Sequence, residues 1–359
     1  MRTFITRPRL AVAALTACAA AGSLALGIGP AQAAPAGPAS GLSWHQITTK
    51  NGWVSGQSMF GTGNPAWAVK NGVVYLSGSV RQPSGTNDAV GVLPPQARPA
   101  HASWMTVSTE NDTSGSLLVL PTGVIKAWGG DATGLTSLAA VSFPARSMPQ
   151  HALGLLNGWH SEQSRWNSGN PSYAVSGGVV YLSGSLAGGS TPEFAVLPAA
   201  ARPKSREYVT VYTKDGSFGD LEINTNGVID AYGTFADGYT SLAGVDYLAR
   251  SAAPITLSLL NGWFSQAAHY GSGTAAFWVK NGVVHLSGSL GTNLTNTWFA
   301  TLPPTARPKH PLFITIYTYG DSQGTLLITP QGTMRAYSPD ASDAENFTSL
   351  ASVSFPVGS

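Results

Sequence analysis

The sequence predicts an all-β chain made of three tandem antiparallel β-sandwich domains of about 105 residues each. Three observations carry this. Four short signatures recur three times in one order, every copy consists of short apolar runs punctuated by Gly, Pro and Asn turns, and no window shows a capped apolar stripe at helical period.

The signatures are explicit. Asn51-Gly52-Trp53 returns as Asn157-Gly158-Trp159 and Asn261-Gly262-Trp263, at spacings of 106 and 104. Leu76-Ser77-Gly78-Ser79 returns at 182–185 and 286–289. Leu93-Pro94 with Ala97-Arg98-Pro99 returns at 197–203 and 302–308, and Thr136-Ser137-Leu138-Ala139 at 240–243 and 348–351. Such a period is too long for a solenoid unit and suits a domain with its own core. The boundaries follow: 44–147, 148–251 and 252–359, preceded by a short Ala/Pro/Gly leader at 34–43.

In the first copy the elements read in order as follows. Trp67 to Lys70 is a strand, Asn71-Gly72 a hairpin turn and Val73 to Val80 the returning strand. Further strands are expected at Val90 to Leu93, Ser103 to Thr109, Ser116 to Leu120, Val124 to Trp128 and Leu138 to Phe143. A six-bladed β-propeller is the alternative, since Gly72 and Gly123 both open a Gly-Val strand. It would need each signature twice per copy, and each occurs once.

Residues 1–33 read as an export signal: Arg2, Arg7 and Arg9, an apolar stretch from Leu10 to Ile28, then the small-x-small site Ala31-Gln32-Ala33. Secretion after cleavage near Ala33 is therefore expected, with lipid anchoring at Cys18 as the alternative. Cleavage removes three of the 19 basic residues and leaves 16 against 17 acidic ones. The mature chain is then near neutral and Cys-free. This excludes a disulfide framework, a Cys-based zinc site and a basic nucleic-acid surface, and no later segment is apolar enough to span a bilayer.

The ordered set Asn-Gly-Trp, Gly-Val-Val-Tyr-Leu-Ser-Gly (72–78), Leu-Pro-x-x-x-Arg-Pro and a closing Ser-Leu-x-x-Val-x-Phe (137–143) resembles β-sandwich tip modules at the ends of phage tail fibres and other receptor-binding proteins. The resemblance covers nearly the whole mature chain, once per copy. It implies a compact β domain for surface recognition that often works as a homotrimer. The departure is an export signal and covalently joined copies. Joins of about a dozen residues reach up to roughly 40 Å, so the copies are expected to be able to close into an intramolecular pseudo-trimer.

Catalytic chemistry finds little support. Gly320-Asp321-Ser322-Gln323-Gly324 fits Gly-x-Ser-x-Gly but falls between predicted strands, where a tight turn uses the same residues. It leaves Ser322 as the one nucleophile a hydrolase reading would use. The histidines show no zinc-ligand spacing, the acids no facing pair and no calcium loop, so neither metal nor cofactor is expected.

Aromatics are more informative. Strand positions such as Trp53, Trp159 and Trp263 read as core. Phe60, Trp166 and Tyr270 instead lie in Gly/Ser/Thr/Asn stretches, where rings serve as stacking platforms for sugars, with Asn64, Asn167 and Asn170 as hydrogen-bond partners. Arg98, Arg202 and Arg307 share an Arg-Pro corner and either clamp an anion or hold loop carbonyls. The reading is a secreted, non-catalytic multivalent protein that recognises a glycan or another cell-surface ligand. The alternative is an assembly module that contacts other secreted proteins.

Overall fold

The computed structural model describes residues 41–359. The expected signal, Cys18 and most of the leader lie outside the described residues. The strands of the described residues all pair antiparallel and are joined by loops and a few short helical turns.

Each copy repeats one topology. In the first, His45–Gln46, Ala66–Lys70, Val73–Ser77 and Ser142–Pro144 form one sheet in that order. Ala89–Val92, Val124–Trp128, Ser114–Val119 and Ser103–Ser108 form the facing sheet. Side chains alternate between core and surface along Val124–Trp128, whereas Val73–Ser77 is buried on both faces because Val73 and Tyr75 pack against Val179, Tyr181 and Val283 of the other copies. The core of the first copy gathers Trp53, Trp67, Leu76, Leu117, Ile125 and Phe143. Burying each large side chain contributes about 1.5–3 kcal/mol.

The local sequence explains the connections. Asn71 and Gly72 hold φ values of 52° and 79°, the left-handed pair a two-residue hairpin needs. In Asn-Gly-Trp, the Asn51 amide donates to Ala89 O at 2.9 Å and the Trp53 indole N–H to Asn87 O at 2.9 Å. The same clamps hold Asn157 with Trp159 and Asn261 with Trp263.

Two expected strands are broken. The run Val73 to Val80 divides at Gly78 into Val73–Ser77 and Ser79–Arg81. Gly78 sits at φ 80°, and a Cβ there would come within 2.3 Å of the Asn64 carbonyl oxygen. The chain leaves one sheet for another at this bend. Leu138 to Phe143 likewise resolves into Thr136–Ser137 and Ser142–Pro144, separated by a turn with Ala140 at φ 58°.

The copies form one compact unit. The strands Ser103–Ser108, Glu207–Tyr212 and Leu312–Thr318 contact one another pairwise. Around their meeting line lies a cavity of about 60 Å³ lined by Thr106, Thr210 and Thr315. The closing signature of each copy completes its predecessor: Ala243 enters the core of the first copy and Ala351 that of the second. Ala139 of the first copy packs on the core of the third. The order is therefore cyclic.

Candidate functional site

The junctions are built from rings. Trp104 of the first copy meets Trp166, Tyr212 and Tyr239 of the second, at centroid separations of 5.8, 5.3 and 6.4 Å. Tyr208 of the second copy meets Tyr270, Tyr317 and Phe347 of the third at 6.3, 5.7 and 5.2 Å. Each wedge is also held through its backbone: Ser241 Oγ donates to Trp104 O at 2.7 Å and Ser349 Oγ to Tyr208 O at 2.8 Å.

This fixes where the sequence-predicted residues stand. Phe60, Trp166 and Tyr270 each end a one-turn helix (Gln57–Phe60, Gln163–Trp166, Ala267–Tyr270) rather than a loop. Trp166 and Tyr270 lie edge-on against a ring of the preceding copy, so part of each face is spent on packing. The residue before each ring varies: Met59 is exposed, Arg165 stacks its guanidinium on Trp166 at 5.5 Å, and His269 meets Tyr270 edge-on at 4.4 Å.

Asn167 sits in the left-handed cap of its helix at φ 52°, and its carbonyl accepts the Ala102 N–H at 2.8 Å. Asn64 and Asn170 are exposed, and Asn170 faces a cleft described below. The Arg-Pro corners behave alike. Arg98, Arg202 and Arg307 direct Nε to the carbonyls of Leu93, Leu197 and Leu302 at 2.9–3.0 Å. That contact is spent on the loop, leaving these guanidiniums half-buried.

Clefts open beside the junctions. One of about 320 Å³, between the first and second copies, is lined by His101, Ser103, Met148, Gln150, Gln163 and Asn170. Gln150 Oε1 accepts from the hydroxyls of Ser172, at 2.7 Å, and Ser183. The corresponding cleft between the second and third copies measures about 500 Å³. Its size follows from substitution: Ser205 stands where the first cleft has His101, and Ala252 where it has Met148. In both, the side chain lies against a glycine (Gly169 or Gly273) at φ 78°, where a Cβ would collide with it.

The second cleft carries a residue that the sequence reading passed over. Glu207, at the position of Ser103 and Leu312, is 3% exposed and lines this cleft. Among the described residues its carboxyl has no hydrogen-bond or ion-pair partner, and burial pushes its pKa well above the usual carboxylate range. The signal was present in the repeat alignment, as a charge at an inward strand position whose counterparts are Ser and Leu.

A second polar cluster lies where the copies meet. Ser142 Oγ donates to Asp246 Oδ2 at 2.8 Å and Ser354 Oγ to Asp246 Oδ1 at 2.6 Å, so corresponding residues of all three copies converge. His285 Nδ1 lies 2.7 Å from Ser354 Oγ. Since that hydroxyl gives its proton to Asp246, Nδ1 is the donor. Burial lowers the His285 pKa to about 3, and raises that of Asp246 to about 6 against the pull of the two serines. Tyr75 and Tyr181, at the position of His285, share a 3.2 Å hydroxyl contact.

Ser322 opens the strand Ser322–Ile328 after a turn in which Asp321 holds φ 57°. Asp321 Oδ1 accepts from Tyr317 Oη at 3.1 Å. Asp220, 2% exposed, is pushed up to about 8 by burial and by the neighbouring Asp321. No group of three or more His, Cys, Asp and Glu among the described residues has the geometry of a metal site. Comparison with protein-family models, curated proteins and solved structures gave no match.

Proposed function

We propose that the chain is a secreted, non-catalytic, multivalent binding protein for glycans, with its ligands seated in the clefts between copies. One observation carries the reading. Clefts of about 320 and 500 Å³ occupy corresponding places on a shared scaffold, and their polar linings differ. Hydroxyls and amides converging beside apolar wall residues suit a polyhydroxylated ligand. Sites joined on one chain raise avidity without any new contact. The likeness of the four signatures to tail-fibre tip modules supports recognition of a surface.

A glycan array with the intact chain tests this, repeated with Asn170→Ala and Gln163→Ala. Binding that falls tenfold or more in these variants at unchanged Tm supports the reading. Absence of binding to any glycan, together with recovery of a secreted protein in a pulldown, overturns it in favour of an assembly role.

A further inference from the structure

The cleft between the second and third copies differs from its counterpart in chemistry as well as volume. Glu207 opens the strand Glu207–Tyr212 and points to the same side as Val209 and Val211, which lie in the core. Its counterparts Ser103 and Leu312 are neutral. The carboxyl is therefore placed at the apolar base of a cavity of about 500 Å³, where the nearby Tyr247 hydroxyl gives its proton to Ala201 O at 2.8 Å and no cation among the described residues pairs with the acid. Lys204 lines the same cleft but is exposed at its rim and forms no ion pair with Glu207.

Burying an unpaired carboxyl is unfavourable, and folding has already removed this one from water. A ligand that supplies a cation there pairs with an acid already withdrawn from bulk water, and the gain is the pairing less the cost of ionising the carboxyl. A neutral hydroxyl would gain only an ordinary hydrogen bond. The hydroxyls of Ser205, Thr256, Thr274 and Ser287 line the remaining wall and match hydroxyl groups on the same ligand. On these grounds, and resting on the glycan-binding reading above, we propose that this cleft selects an amino sugar with a free ammonium group, which pairs with Glu207. Lys204, screened by solvent at the rim, opposes the ligand only weakly.

The raised pKa of Glu207 supplies a signature. Burial favours the protonated acid and a neighbouring ammonium favours the carboxylate, so amine binding shifts Glu207 toward its ionised form and is coupled to loss of its proton. The test is calorimetry on the full chain with a glucosamine trisaccharide and its N-acetylated counterpart, in buffers of different ionisation enthalpy. The free amine should bind at least tenfold more tightly and release protons in proportion to occupancy. Glu207→Gln, which keeps shape, should abolish that preference and the proton release. Glu207→Ser, the residue of the first copy, should do the same and guards against misfolding of the first variant. Lys204→Met should tighten amine binding up to about threefold.

Equal affinity for the two sugars, or an amine affinity unchanged by both Glu207 variants, overturns the proposal and leaves glycan binding elsewhere intact. Preference for an acidic sugar that is lost in Lys204→Met overturns it in favour of an anion site. Failure of every glycan to bind removes both this proposal and the reading on which it rests.

Discussion

The junction between the second and third copies and the one that closes the third onto the first use corresponding positions differently. At the former, Tyr208 stands among three rings and the Arg206 N–H reaches Gly271 O at 2.9 Å. At the latter the wedge is Phe313, the socket positions are Phe60, Ser108 and Leu135, and Pro311 has no N–H to offer. His310 Nδ1 instead meets Gly61 O at 3.2 Å. The ring-rich junctions are those directly joined by the chain. All three junctions lie within one chain, so the closing one, with fewer rings, still gains from tethering what a contact between separate molecules would lack.

The largest expected effect tests this inequality directly. Tyr208→Ala removes a wedge that is 6% exposed, and should cost about 3–4 kcal/mol in urea denaturation. Phe313→Ala, at a half-buried position where only one of the three corresponding socket residues is aromatic, should cost about 1–2 kcal/mol less. Equal losses would remove the distinction between the junctions.

The centre, where all three copies contribute, is the next place to probe. Asp246→Ala strands the hydroxyls of Ser142 and Ser354 and should cost about 2 kcal/mol. Asp246→Ser, which gives all three copies the same residue, should recover most of it. The two titrating groups here act in opposite directions. Asp246, raised from 3.8 to about 6, binds a proton in the folded state that the unfolded chain has released. Its contribution is complete below pH 4 and is lost as pH rises through 6, amounting to roughly 3 kcal/mol at 1.36 kcal/mol per unit. His285, lowered to about 3, contributes above pH 6.5 and loses that contribution as pH falls toward 3. Asp246→Ser should therefore abolish the alkaline-side loss between pH 4 and 6 while keeping the acid-side one. A stability profile unchanged by this substitution would show that Asp246 does not titrate in that range.

How far the sequence could be read depended on whether a feature was local. The Asn71-Gly72 hairpin, the three copies and most strands follow from turn chemistry and apolar pattern, which neighbouring residues decide. The bend at Gly78 was hidden because its cause is a carbonyl fourteen residues away. Trp166 looked like a free ring because its neighbours are polar, and the ring it meets, Trp104, belongs to another copy. Glu207 went unnoticed because a single strand acid is ordinary until its cleft is assembled from two copies.

A corner shared by all copies provides a control in which the inequality of the junctions should vanish. Arg98→Ala, Arg202→Ala and Arg307→Ala each remove one Nε contact of nearly identical length. Each should cost about 1–2 kcal/mol, equal within about 0.5 kcal/mol. A much larger loss at Arg307 would mean that the closing junction leans on its corner in a way the others do not.

The smallest effect is expected at the closing contact itself. His310→Ala removes a solvent-exposed bond to Gly61 O, and should change stability by no more than about 0.5 kcal/mol. Adding Pro311→Ala restores the backbone N–H that Ala102 and Arg206 use to hold Asn167 O and Gly271 O. The new bond is worth about 1 kcal/mol, against roughly 0.4–1 kcal/mol from the greater freedom of the unfolded chain once proline is gone. The double variant should therefore match the parent in Tm. A clear gain would mean that the backbone contact is the stronger clasp and that Pro311 weakens closure. A loss beyond about 1 kcal/mol would make His310 the principal tie between the third copy and the first, contrary to the tethering argument.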